Sequence, residues 1–149
     1  MTVSIVAMTA AHVDALMPHE REMFGTEAWS ANAYRQEIAD TELRHYVAAV
    51  DGAGAMLGWA GVMVIGETAQ ILTVGTVPQY RRRGVARTLV ADLLQHARDR
   101  RASEVFLEVR VDNDAARALY AAAGFTEIAV RKGYYDRGRV DAVVMRRDV

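Results

Sequence analysis

Apolar positions along this chain recur with two different periods, and the changes between them divide it into strand-like and helix-like segments. Residues 3–8 read as a strand. A helical pattern opens after Thr9, with Val13, Leu16 and Met17 as its inward face, and Pro18 is expected to break or re-aim it. Ser30 is placed as the N-cap of a short helix over 31–40, with Tyr34 and Ile38 on one side. Two strands at 44–50 and 56–65 are joined by the glycine-bearing turn Asp51-Gly52-Ala53-Gly54, and a third strand spans 68–76. Ala86, Leu89, Val90, Leu93, Leu94 and Ala97 recur at spacings of three and four, which predicts an amphipathic helix over 85–100. Residues 105–110 read as a strand, 113–122 as a helix ending at Gly124, and 125–131 and 140–147 as the last two strands.

The order β-α-α-β-β-β-α-β-α-β-β predicts an α/β chain of the mixed α+β kind, a mixed sheet with helices on both faces rather than a regular doubly wound one. No internal repeat or low-complexity segment interrupts it, and 149 residues fit a single domain spanning 1–149. Hydrophobic residues at 52% with charged residues at 25% describe a soluble globular protein. The apolar runs are far short of a membrane span, and the first residues lack the basic start and long apolar centre of a signal peptide, so a cytoplasmic protein without a membrane partner is expected. A net charge of −1 removes any whole-protein attraction to nucleic acid. The absence of cysteine excludes disulfides, thiolate metal sites and a cysteine nucleophile. His12, His19, His45 and His96 show no metal-ligand spacing and are read as surface or capping groups, so no metal is expected. No Gly-x-Ser-x-Gly elbow supports an acyl-serine route.

Candidate chemistry begins at Val77-Pro78-Gln79-Tyr80-Arg81-Arg82-Arg83-Gly84-Val85-Ala86, between a strand and a helix. Gly84 and Ala86 carry almost no side chain, so the backbone can come close to a ligand, and consecutive N–H groups at a helix start attract an anion. A Walker loop would need a Lys-Ser/Thr after its glycine and a Rossmann turn three spaced glycines, and neither is present. The pattern points to the pyrophosphate of coenzyme A; read alone, it is also a solvated basic run ahead of a helix. Glu108 sits inside an otherwise apolar strand, where an unpaired carboxylate is costly. It pairs on the surface with Arg110, two residues along the same face, or serves as a general base. Asn113 reads as an N-cap and Tyr120 as a half-buried aromatic.

Arg81-Arg82-Arg83-Gly84-Val85-Ala86 resembles the acetyl-CoA signature of the GCN5-related N-acetyltransferases, and the order of elements resembles their fold over nearly the whole chain. Asn113-x-x-Ala116-x-x-x-Tyr120 before Gly124-Phe125 is similar to the second acetyl-CoA motif of that superfamily. Trp29-Ser30, Leu107-Glu108-Val109-Arg110, Ala118-Leu119-Tyr120, and Arg131-Lys132-Gly133-Tyr134-Tyr135 with Asp141-Ala142 resemble the RimI-type ribosomal-protein-alanine N-acetyltransferases. The resemblance implies that acetyl-CoA is the donor and that the strands before and after the 85–100 helix splay apart to admit its pantetheine arm. It further implies that residues Arg81, Arg82, Arg83, Gly84, Val85, Ala86 and Arg87 hold the pyrophosphate. Val74, Gly75 and Thr76 would hold the acetyl carbonyl and pantetheine through backbone groups, and Asn113 would contact the cofactor.

By the same resemblance Glu108 is the base and Tyr120 the acid, while Trp29, Tyr134 and Tyr135 receive the acceptor. The acceptor implied is the N-terminal alanine of a ribosomal protein of the bS18 type, acetylated by direct attack in a ternary complex by a monomer that does not bind nucleic acid. Acetyltransfer to a lysine, polyamine or other small amine is the alternative, and a CoA-binding sensor without turnover is a different class again. The acids Glu20, Glu22 and Glu27 either favour a basic acceptor peptide or form a solvated helix face. Gly75-Thr76-Val77-Pro78 stands where the family usually has Ala-Val-Asp-Pro, and the added glycine is expected to loosen the strand end.

Overall fold

The computed structural model describes residues 2–149. Its elements run β1 (Ser4–Ala7), α1 (Ala10–Phe24), α2 (Ala31–Ala39), β2 (Arg44–Val50), β3 (Met56–Ile65), β4 (Thr68–Thr76), α3 (Val85–Asp99), β5 (Glu104–Arg110), α4 (Asp114–Ala122), β6 (Thr126–Tyr135) and β7 (Val140–Asp148). This is the predicted order. The strands form one seven-stranded sheet, β1-β2-β3-β4-β5-β7-β6, in which β4 and β5 are parallel and every other neighbouring pair is antiparallel.

The two faces bury different cores. Leu89, Leu93, Leu94 and Ala97 of α3 and Tyr120 of α4 pack with Leu57, Val62, Val105, Leu107 and Met145 on one face. On the other, Val13, Leu16 and Met17 of α1 and Tyr34 of α2 meet Tyr46 and Trp59. The alternation of β5 follows from this, because Val105, Leu107 and Val109 are buried on the α3 face while Phe106, Glu108 and Arg110 are partly exposed on the other.

The parallel pair is short, and its shortness shapes the site. β4 and β5 pair only at Thr68↔Glu104, Ala69↔Val105 and Gln70↔Phe106, although both strands continue for several residues. Where the pairing stops, the ladder between β3 and β4 steps from Val62↔Ile71 to Gly61↔Thr73 and passes over Leu72. A bulge adds a residue to one strand and bends it, here turning β4 away from β5. The expected splay is therefore present, and the end of β4 at Val74–Thr76 faces a gap instead of a neighbouring strand.

Two local expectations change. Pro18 does not end α1, which runs on to Phe24. A proline removes one helix hydrogen bond and crowds the carbonyl one turn back, but Asp14 and Pro18 both lie on the exposed side of α1, where a helix can bend toward water and continue. Gly75 does not loosen β4: it is buried and paired with Trp59, and a Cβ placed on it would overlap the Trp59 ring. Glycine stands there because an indole fills the space of a side chain.

Candidate active site

At the start of α3 the backbone leaves a row of N–H groups free. Gly84 caps the helix in a left-handed conformation (φ 79°), with no side chain capping it and open space where a Cβ would lie. The first bond into the helix is Thr88 N–H to Gly84 C=O at 3.0 Å. Among the described residues the N–H groups of Arg82 to Arg87 meet no backbone acceptor, which is the state that favours an anionic ligand. Arg81, Arg82, Arg83 and Arg87 are exposed around this turn, and the Arg83 guanidinium lies 5.9 Å from the centre of the Tyr80 ring. Val85 differs from its neighbours: its side chain is buried in the α3 core, so it can offer a ligand only its N–H. Ala86 is half-buried. An exposed amide row beside the gap between β4 and β5 fits a diphosphate with an extended arm, and acetyl-CoA has that shape.

Across the gap, Glu108 projects from the face opposite α3. One carboxylate oxygen accepts from Arg131 Nη1 at 2.6 Å; the other is buried with no hydrogen-bond partner among the described residues. The side chain is 16% exposed. The expected pairing with Arg110 does not form. Arg110 instead binds Asp112 at 3.0 Å and Glu27 at 3.3 Å, and lies over the Tyr135 ring. The reason is the sheet order: β7 comes between β5 and β6, placing Arg110, Ala142 and Arg131 in register, and Ala142 is too small to screen Arg131 from the β5 carboxylate.

β6 runs further than expected and carries both tyrosines at its end. Their rings meet edge to face at 4.8 Å, with the Arg131 guanidinium 4.3 Å from the centre of the Tyr134 ring. Burial pushes the Tyr135 phenol up to about 12, with Tyr134 and Glu108 adding to the rise. Tyr134 is raised in the same direction, by burial first and then by Glu108.

Tyr120 is brought to the other side of β5. Its ring packs in the α3 core beside Phe125, it is only 8% exposed, and burial followed by the nearby Tyr135 raises its phenol well above the ordinary value. Glu108 and Tyr120 thus occupy opposite faces of the sheet. Asn113 is the N-cap of α4, its side-chain oxygen accepting from Ala116 N–H at 3.1 Å.

Beside Tyr134 and Tyr135 two turns touch. Glu27, in the short turn Gly25–Glu27 after α1, accepts from the Asp136 N–H at 2.8 Å, and this bond is the chief reason its carboxyl is held below the ordinary value. Between the turns lies a groove of about 460 Å³ lined by Thr26, Glu27, Tyr134, Tyr135, Asp136 and Arg137. Trp29 is not among its lining residues. It is half-buried against Tyr34, ring centres 5.1 Å apart, and helps cover the α1–α2 core.

Glu20 belongs to neither reading given to it, because it is 2% exposed inside that core and not on a solvated face. The role of Glu27 as a clamp across a separation of 109 residues left no local signal, nor did the stacking of His45 on His96 at 4.0 Å with Asp92 2.8 Å from His45. A second hollow of about 670 Å³ lies at the α4–β6 end by Ala123 and Arg147, away from these groups. Among the described residues no group of three or more His, Asp or Glu side chains could hold a metal ion, and no helix is long and apolar enough to cross a membrane.

Comparison with known proteins agrees with this geometry. The sequence model of the acetyltransferase (GNAT) family matches residues 11–125. The chain is 39% identical over 151 residues to the N-alpha-acetyltransferase RimI of Mycobacterium tuberculosis, covering 98% of this chain and 92% of that protein. It is 37% identical over 149 residues to an uncharacterised Mycobacterium leprae protein, of which it spans 40%. Among solved structures it superposes on the ribosomal-protein-S18-alanine N-acetyltransferase from Escherichia coli with a TM-score of 0.85 at 26% identity, covering 99% and 94% of the two chains.

Proposed function

Because this chain belongs to the acetyltransferase (GNAT) family, in its RimI-type branch, we propose that it acetylates the N-terminal amine of a protein, with the alanine terminus of a small-subunit ribosomal protein of the bS18 type as its substrate. The enzyme is an N-acetyltransferase and its donor is acetyl-CoA. That donor supplies an activated acyl thioester. On this reading the chain works in the cytoplasm as one monomeric N-acetyltransferase domain, and the amides of Arg82 to Arg87, with the arginines around them, hold the diphosphate. Val74, Gly75 and Thr76 offer the free edge of β4 to the acyl arm, and the Asn113 amide N–H groups remain for the cofactor.

The observation that carries the reading is the pairing of a partnerless carboxylate oxygen on Glu108 with a neighbouring groove built from two loop turns. An incoming amine must lose a proton, and a buried acceptor oxygen without a donor is suited to take it. An α-amine with a pKa of about 8 is roughly one-tenth neutral at pH 7, whereas a lysine at about 10.4 is neutral only a few times in ten thousand. The base therefore has modest work for an N-terminus. Tyr120, whose phenol burial holds protonated, lies on the opposite face, and on this reading it is the acid that donates from its Oη to the departing sulfur. Base and acid thus act from two sides of the reacting carbon, with Tyr134 and Tyr135 lining the acceptor groove and Trp29 fixing the turn that forms its other wall.

Glu108→Gln and Tyr120→Phe are each expected to lower turnover on the order of ten- to a thousandfold with little change in acetyl-CoA affinity. Calorimetry for the donor and steady-state kinetics with an alanine-initiated peptide separate the two effects. Loss of donor affinity with normal turnover of bound substrate would reverse the assignment. Competition of that peptide against free lysine and spermine tests the acceptor class: preference for either small amine would replace the N-terminal reading.

A further inference from the structure

We propose that Glu20 is a positioning residue for the acceptor side of this reaction, setting the 25–29 turn at a defined place relative to the acetyl-holding end of β4. The inference rests on the reading above that the acceptor enters between that turn and Tyr134. Glu20 lies on α1 and points into the α1–α2 core, where a carboxylate is costly unless hydrogen bonds satisfy it. Both its oxygens are used. Oε2 accepts from the Trp29 backbone N–H at 3.1 Å, and Oε1 accepts from the Tyr34 hydroxyl at 2.5 Å. The Tyr34 oxygen in turn accepts from Trp59 Nε1 at 3.1 Å. The Trp59 ring lies against Gly75, filling the space of its missing side chain.

These contacts form one connected path. It begins at Trp29, two residues after Glu27 in the acceptor groove, and passes through Glu20, Tyr34 and Trp59 to Gly75 on the free edge of β4. An apolar residue at position 20 would avoid the desolvation of a carboxylate, but it could not accept from a loop amide and a helix hydroxyl at once. Among the described residues the Trp29 N–H has no other acceptor. Glu20 is therefore what ties the acceptor turn to the core that also shapes the donor strand. Displacing reacting groups by a fraction of a bond length is enough to slow a bimolecular reaction between bound partners.

Three variants test this: Tyr34→Phe, which keeps the ring but removes the oxygen joining Glu20 to Trp59; Glu20→Leu; and Glu20→Gln. The Gln carbonyl can still accept from Trp29 while its amide donates to the Tyr34 oxygen. With an alanine-initiated peptide, Glu20→Leu and Tyr34→Phe should raise the peptide KM about tenfold and lower kcat about fivefold, while the acetyl-CoA Kd stays within about twofold and Glu20→Gln recovers most of the loss. Folded variants with unchanged peptide kinetics would overturn the proposal, as would an acetyl-CoA Kd that weakens in step with the peptide KM. If Glu20→Leu does not fold, Tyr34→Phe decides. Tyr134→Ala, in the groove but outside the path, separates the two levels: an unchanged peptide KM there removes the acceptor-site reading and this proposal with it. A raised KM there beside normal Glu20 and Tyr34 variants removes only the proposal.

Discussion

Glu108 shows how far a single residue can be read before its neighbours are known. Its cost inside an apolar strand marked it as needing a partner or a task, and Arg110 was the obvious partner by strand alternation. The partner is Arg131, from a strand two places away in the sheet, and Arg110 is engaged by Asp112 and Glu27. Gly75 is a similar case: as a letter it meant flexibility, and in place it means an indole packed on bare backbone. Gly75→Ala is accordingly expected to destabilise the protein by about 1–3 kcal/mol through overpacking, read from the denaturation midpoint in urea. A variant as stable as the parent would mean that Trp59 moves freely.

At the scale of elements, α3 and β4 were legible because their signals are local. Stripe spacing, a glycine before the helix and a run of apolar residues all lie within a few positions of what they specify. Gly84→Ala probes the junction. No atom opposes the added methyl, so the cost is the positive φ, about 1 kcal/mol of stability, while acetyl-CoA Kd should rise about tenfold as the first-turn amides are re-aimed. Titration calorimetry beside a thermal melt checks both, and equal donor affinity would remove the turn from the cofactor site. The continuation of α1 past Pro18 was not legible, since whether a proline ends a helix depends on which side of it faces water.

At the scale of the whole molecule, one pH dependence follows from residues far apart in the chain. His96 stacks on His45, and burial first, then His45, lowers its pKa below the ordinary value. An unfolded chain takes up that proton near pH 6.5, before the folded protein does, so the contribution to stability is complete above that pH and is lost as the pH falls through the lowered folded value. Denaturation midpoints measured between pH 8 and 5 should fall on the acid side, and His96→Gln should flatten the slope; an unchanged slope would assign it to other groups. The histidine pair, the Glu27 clamp on Asp136 and the Arg131–Glu108 bond share one property, which is that each joins segments far apart in sequence. Periodicity, caps and the arginine–glycine turn act within a few residues, so the amino-acid order alone determined the kind and succession of the elements and the glycine turn at which α3 begins. Strand order, the bulge at Leu72 and the meeting of two distant turns depend on which surfaces pack together, and only the tertiary structure decided them, because contacts across tens of residues leave no imprint on the spacing of neighbouring side chains.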